Sequence, residues 1–209
     1  QGFIAFSLCA SSVYLLNDLL DLPSDRIHPR KKKRPFAAGD ISLLHGVALM
    51  LLLLATGLLV GATLSLEFIG VLIFYFILTL AYSLHLKSRV LIDVMLLAGL
   101  YTLRIIAGAA AIMVAPSFWL LAFSMFLFLS LALAKRCSEL ASLMKQNKND
   151  TKGRGYRVAD LEYLHSMGTA SGYLSVLVLA FFINNAHVIK SYTYPEVLWL
   201  LCPLILYWI

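Results

Sequence analysis

From Ile41 to Leu66 the chain carries no lysine, arginine, aspartate or glutamate. Five further runs share that property: Gln1–Asn17, Phe68–Leu86, Ile105–Ala134, Tyr163–Ile189 and Val197–Ile209. A helix needs about 20 predominantly apolar residues to cross the hydrocarbon core of a bilayer, and most of these runs approach or exceed that length. Of the 209 residues, 61% are hydrophobic and 13% charged, against roughly 45–50% and about 25% in a soluble domain. The excess cannot all be hidden in one core, because a chain of ~200 residues still exposes roughly a quarter to a third of its unfolded surface. Ordinary soluble, disordered and collagenous classes are excluded, and the chain reads as an integral membrane protein.

The stretch from Val94 to Ala134 is interrupted by a single charge, Arg104, and is too long for one span; Pro116 is its natural corner. The expected spans lie near 3–22, 41–64, 67–84, 93–113, 117–136 and 168–186, with a seventh starting at 196. The expected fold class is therefore all-α, a polytopic membrane helix bundle of about seven spans. Gln1 opens directly on apolar residues with no basic leader, so a signal peptide is not expected. The chain begins without Met and ends within an apolar run. Residues 1–209 are thus expected to be a single integral-membrane domain belonging to a longer chain.

Fifteen of the seventeen lysines and arginines fall on alternate loops. Arg26, Arg30, Lys31, Lys32, Lys33 and Arg34 follow the first span, and Lys87 and Arg89 the third. Lys135, Arg136, Lys145, Lys148, Lys152, Arg154 and Arg157 follow the fifth. Alternation of this kind marks cytoplasmic loops. The net charge of +6 is thus a topology signal set among membrane lipids. A nucleic-acid partner is not expected, since there is no soluble basic face. Cys9, Cys137 and Cys202 have unrelated spacings, and the five histidines form no HExxH pattern, so neither a disulfide framework nor zinc chemistry is indicated.

The segment Asn17-Asp18-Leu19-Leu20-Asp21-Leu22-Pro23-Ser24-Asp25 sets three carboxylates and an amide where an apolar helix reaches the cytoplasmic face. Carboxylates at membrane depth are costly and usually functional. At 100° per residue Asn17, Asp18, Asp21 and Asp25 share an arc of roughly 100°, where like charges repel. A compensating cation is required. It could be a divalent ion such as Mg²⁺, which is held by one or two carboxylates plus substrate phosphates, or the neighbouring basic run Arg30–Arg34; solvated helix-end caps are the remaining reading.

This pattern, followed by Arg26-Ile27-His28-Pro29-Arg30-Lys31-Lys32-Lys33-Arg34-Pro35-Phe36, resembles the first aspartate-rich motif and adjoining basic stretch of the UbiA superfamily of intramembrane prenyltransferases. The resemblance covers essentially the whole chain, with the family's first helix and its last one missing. It implies that Asn17, Asp18, Asp21 and Asp25 bind Mg²⁺ and the diphosphate of an activated donor, with Asp18, Asp21 and Asp25 as the catalytic carboxylates.

A second polar constellation, Lys135-Arg136-Cys137-Ser138-Glu139-Leu140, ends the fifth span on the same face and leads into a loop with Asp150, Arg154-Gly155-Tyr156 and Asp160. The two clusters can form a pocket between helix ends. The superfamily usually shows a second aspartate-rich motif at this point. Here Glu139 stands beside two cations, which leaves at most one metal ligand and adds charge suited to phosphate. The KRxxEL pattern resembles the polyprenyl-phosphate phosphoribosyltransferase branch, whose donor is phosphoribosyl diphosphate and whose acceptor is a polyprenyl phosphate. Tyr82-Ser83-Leu84-His85-Leu86-Lys87 and Leu103-Arg104-x-x-Ala107-Gly108 also look like that branch. Arg34, Tyr82, Lys87, Arg104, Lys135, Arg136 and Glu139, with Asn17, are accordingly the expected substrate- and phosphate-binding residues. Topogenic charge is the plain alternative for Lys135 and Arg136.

Arg104 lies mid-span, eleven residues after Asp93. The two share a helix face but stand ~16 Å apart along the axis. Each therefore needs a partner on another helix or in a polar cavity, either a structural ion pair or, for Arg104, substrate phosphate. The implied activity is a Mg²⁺-dependent transferase acting on an isoprenoid lipid and a diphosphate-bearing donor, with its site facing the cytoplasm in a bacterial inner membrane. Prenylation of an aromatic acceptor is the alternative within the family. A transporter would fit Asp93 and Arg104 but leaves the stacked aspartates unexplained. The DGxxAR…GxxxDxxxD pattern of CDP-alcohol phosphotransferases is absent.

Overall fold

The computed structural model describes residues 1–27, 30–146, 155–185, 188–189 and 193–208. Among these residues the regular structure is helical and no strand is formed. The helices are α1 (Gly2–Leu20), α2 (Leu22–Ile27), α3 (Pro35–Ala38), α4 (Leu43–Ala62), α5 (Leu66–Leu84), α6 (Ile92–Ala111), α7 (Phe118–Lys145), α8 (Leu161–Ile183) and α9 (Leu201–Trp208), with 3₁₀ turns at Lys31–Lys33, Leu86–Ser88, Val158–Asp160 and Pro195–Leu200. Among the described residues six helical segments are long and apolar enough to cross a bilayer, and Pro195–Trp208 is a shorter apolar segment where a seventh span was expected. The expected class, an all-α multi-pass membrane protein, is observed.

The boundaries have local causes. Pro23 has no N–H to give to the carbonyl of Leu19, and α1 accordingly ends at Leu20 before a new turn begins. Ser42 opens α4 by accepting the His45 N–H on its side chain. Pro116 separates α6 from α7, as its fixed backbone demands. Two spans are longer than expected. α7 runs 28 residues to Lys145 rather than stopping near 136; at 1.5 Å per residue that is ~42 Å, beyond a ~30 Å hydrocarbon core. α8 starts at Leu161 rather than 168, because the helix continues through the polar Glu162, His165 and Ser166 ahead of the expected span.

The chain divides into two compact units, 1–83 with 106–114, and 84–105 with 115–209. In the first, α1 packs on α4. Gly57 makes this possible: a Cβ there would lie 3.0 Å from the Ala5 carbonyl and 3.1 Å from the Cys9 amide, so the small residue lets two backbones approach. Ala5, Cys9, Val13, Phe68, Leu72 and Tyr75 fill the interior. In the second unit α7 packs on α8. Gly168 faces Leu133 at a similarly close distance, and its carbonyl accepts the Ser130 hydroxyl at 2.8 Å. Gly108, the last residue of the Leu103–Gly108 motif, instead faces open space. Hydroxyls inside the helices bond back to their own turns, as Thr79 does to Tyr75 and Thr102 to Ala98, which satisfies them without a partner helix.

Candidate active site

The first unit gathers part of the aspartate-rich segment around one arginine. Because the helix is interrupted at Asp21, the four polar residues do not lie on one continuous wheel. Asp21 sits in the joint between α1 and α2, its carbonyl accepting the amides of Ser24 and Asp25. This joint turns Asp25 inward until its side chain is 2% exposed. The Arg34 guanidinium then bridges the segment, with Nη1 lying 2.8 Å from Asp18 Oδ1 and 2.8 Å from Asp25 Oδ2. Lys31 Nζ stands 3.7 Å from Asp25 Oδ1.

Arg34 is aimed by its neighbours. It precedes Pro35 with extended φ/ψ, Pro35 opens α3, and Gly39 closes it at φ +89°, a conformation suited to glycine. Within α3, Phe36 is buried against α4 over Gly46, where a Cβ would meet the ring at 2.6 Å. The aromatic residue holds the end of the basic loop down, and the arginine beside it reaches the carboxylates. The sequence placed Phe36 in the basic stretch but offered no role for it.

Two acceptors in this cluster remain unsatisfied: Asn17 Oδ1 and Asp25 Oδ1 are buried with no hydrogen-bond partner. Lys31 is within ion-pair reach of the latter but beyond hydrogen-bonding distance. Buried oxygens without donors are costly. A hard, oxygen-seeking cation fits such a pair. Among the described residues no three of His, Cys, Asp or Glu form a metal cage by themselves, and Mg²⁺ needs none when phosphate completes its shell.

The second unit contains an ion-pair network. Arg136 Nε donates to Asp93 Oδ2 at 2.6 Å, and Nη1 donates to Glu139 one turn along α7. The Arg136 side chain is 2% exposed and that of Asp93 is wholly buried. Asp93 thus finds its partner on another helix, as its burial demanded. Arg136, expected to meet phosphate, is engaged by two carboxylates, whereas Lys135 is exposed on α7 and Glu139 is half-buried. Lys87 lies in the 3₁₀ turn after α5, half-buried. Arg104 is exposed on α6 and lies 4.7 Å over the Tyr101 ring. Tyr82, half-buried in the last turn of α5, belongs to the first unit. Asp150 and Arg154, with Lys148 and Lys152, lie outside the described residues.

Tyr156 lies in the same unit as this network. Its ring is 1% exposed among Val94, Leu133, Leu140 and Leu164, and its hydroxyl accepts the Leu91 N–H at 3.1 Å. Burial pushes the phenol above its ordinary pKa and the charges of Asp93 and Asp160 add to this, while the Leu91 N–H and Arg136 oppose it. The sequence offered one signal, a glycine directly before an aromatic residue in a polar loop.

The sequence pattern of the UbiA prenyltransferase family matches residues 1–209. The chain is similar to protein y4nM of Sinorhizobium fredii (41% identical, covering 87% of this chain and 35% of that protein). It is also similar to nodulation protein NoeC of Azorhizobium caulinodans (34%, covering 100% and 68%). Decaprenyl-phosphate phosphoribosyltransferase of Mycobacterium tuberculosis is 35% identical over 67% of this chain and 46% of the relative. The chain thus spans about a third to two thirds of the length of these relatives. Among solved structures, a UbiA homolog from Archaeoglobus fulgidus bound to DMAPP and Mg²⁺ superposes with a TM-score of 0.75 at 17% identity, over 99% of this chain and 71% of that one.

Proposed function

The chain belongs to the UbiA prenyltransferase family, and from that premise we propose that residues 1–209 form one membrane transferase domain that transfers phosphoribose from phosphoribosyl diphosphate to a polyprenyl phosphate. The observation that carries this reading is the pair of buried, unsatisfied oxygens on Asn17 and Asp25 beside the Arg34 bridge. It is an acidic cluster with two oxygens still lacking a hydrogen-bond donor, beside an arginine suited to phosphate. The decaprenyl-phosphate phosphoribosyltransferases among the relatives favour the ribosyl donor. So does Glu139 with Lys135 and Arg136 at the place of the family's second aspartate-rich motif.

In this reading Asn17, Asp18, Asp21 and Asp25 hold Mg²⁺, which when bound neutralises charge gathering on the departing diphosphate. Arg34 releases part of its hold on Asp18 and Asp25 and binds a diphosphate oxygen. Lys87, Lys135, Arg104 and Tyr82 are proposed, each by its place in the family motifs, as further substrate- or phosphate-binding residues. Arg136 acts indirectly, holding Glu139 and Asp93 in place. The C1–O bond of the donor breaks with its electron pair leaving on diphosphate. The ribosyl carbon, carrying oxocarbenium character, is attacked by a phosphate oxygen of the lipid acceptor, forming a new C1–O bond. Fixed charges at the helix ends stabilise this separation. The isoprenoid tail stays in the membrane while its phosphate reaches the cytoplasmic face of a bacterial inner membrane.

The test supplies membranes containing the full chain with labelled phosphoribosyl diphosphate and a polyprenyl phosphate, or with a labelled prenyl diphosphate and an aromatic acceptor, with and without Mg²⁺. Label in the lipid phosphate product, dependent on Mg²⁺, is the expected result. Product from the prenyl donor alone moves the enzyme to aromatic prenylation, and product from neither refutes the transferase reading.

A further inference from the structure

We propose that Tyr156 is a positioning residue for Lys87 and for the Asp93–Arg136–Glu139 network, acting through a strained turn that carries Lys87 and Asp93. This rests on the transferase reading above for its kinetic consequence, and on geometry alone for its structural one.

The turn runs from the 3₁₀ segment Leu86–Ser88 into α6. Its own hydrogen bonds are short-range: Arg89 N–H to the Leu86 carbonyl at 3.1 Å and Ile92 N–H to the Val90 carbonyl at 2.8 Å. Between them Leu91 adopts φ +65°, a left-handed conformation that costs a branched side chain free energy and persists only when its surroundings enforce it. Two contacts from the segment before α8 supply that enforcement. The Leu91 amide is held by the Tyr156 hydroxyl. Gly155, itself at φ +67°, lies so close to the turn that a Cβ would come 2.7 Å from the Ser88 carbonyl oxygen. Only glycine meets both conditions.

The tyrosine is a firm anchor because its ring is locked among side chains of α6, α7 and α8. The turn it holds has Lys87 at one end and Asp93 at the other, and Asp93 in turn fixes Arg136 and through it Glu139. One buried hydroxyl therefore sets the spacing of a phosphate-binding lysine and the charged network of α7.

The experiment uses the full chain in proteoliposomes. Tyr156→Phe keeps the ring and deletes the acceptor. The expected result is faster hydrogen exchange in the segment 84–93 and a KM for phosphoribosyl diphosphate raised about tenfold, the size of one lost hydrogen bond, with kcat changed by less than about threefold. Leu91→Gly, which occupies positive φ without strain, should return the Tyr156→Phe KM toward wild type. Unchanged exchange in 84–93, or a defect that Leu91→Gly leaves untouched, overturns the proposal. If the wild-type chain does not use phosphoribosyl diphosphate, the transfer reading fails while the exchange measurement still decides whether Tyr156 holds the turn. Should Tyr156→Phe not fold, Leu91→Gly in the otherwise wild-type chain decides it: slower exchange of 84–93 supports a turn strained against Tyr156, and unchanged or faster exchange contradicts it.

Discussion

Arg136 Nε lies 2.6 Å from Asp93 Oδ2, across 43 residues of sequence, with both side chains almost fully enclosed. A buried pair of this kind is strongly destabilised when one partner is removed, because the other charge is left without compensation. Asp93→Ala is expected to cost about 3–5 kcal/mol, read as a large loss of thermal stability in detergent. Pairing it with Arg136→Met should recover much of the loss, and a single variant as stable as wild type would show that the pair carries no structural load.

The Arg34 bridge predicts a competition between cations. Arg34→Gln removes a positive charge 2.8 Å from both Asp18 and Asp25, so these carboxylates should bind a divalent ion more tightly when no diphosphate is present. We expect Mn²⁺ affinity, measured by electron paramagnetic resonance, to rise about tenfold, a shift of ~1.4 kcal/mol. The same variant should bind phosphoribosyl diphosphate more weakly. Asp25→Asn should lose metal binding. An Arg34→Gln protein with unchanged affinity for both ions would detach this arginine from the cluster.

Phe36 should act on donor binding without touching donor. Gly46→Val drives a side chain into the space of the Phe36 ring, and the ring's displacement moves Arg34. The expected outcome is a raised KM for the diphosphate donor, close to that of Arg34→Gln, in a protein that retains its helical content by circular dichroism. Wild-type kinetics in Gly46→Val would disprove the link.

Alkaline pH should weaken the second unit through Tyr156. Its phenol titrates above the ordinary tyrosine range in the folded protein, so the folded state keeps its proton where the unfolded state loses it. The contribution is complete below about pH 10 and is lost as pH rises through the folded value. A difference titration at 295 nm between wild type and Tyr156→Phe isolates this phenol. A transition at or below that of free tyrosine contradicts the assignment.

Much of this was legible in the sequence because bilayers impose simple rules. The charge-free runs located the spans, and Pro116 located the corner between α6 and α7. The stacked acids of Asn17–Asp25 announced a need for positive charge. What the sequence could not show was which cation lies nearest. The pairing of Asp93 with Arg136 depends on packing between α6 and α7, and no local pattern encodes it. The bridging of Asp18 and Asp25 by Arg34 depends on Pro23 breaking α1 and on Phe36 seating over Gly46, two tertiary details that a helical wheel does not contain. The extent of α7 past residue 136 was missed because a charged helix end outside lipid looks like a loop when hydropathy alone defines the span.

The proposed role of the acidic cluster of α1 and α2 is to drive departure of diphosphate from a ribosyl donor in the membrane. The most direct measurement follows the ribosyl carbon and the released diphosphate together, with separately labelled phosphoribosyl diphosphate, polyprenyl phosphate and Mg²⁺, in proteoliposomes of wild type and Asp25→Asn. Equal amounts of lipid-linked phosphoribose and diphosphate are expected from wild type, and a loss of at least a hundredfold in both for Asp25→Asn. Undiminished turnover by Asp25→Asn, or diphosphate release with no ribosyl group reaching the lipid, would contradict it.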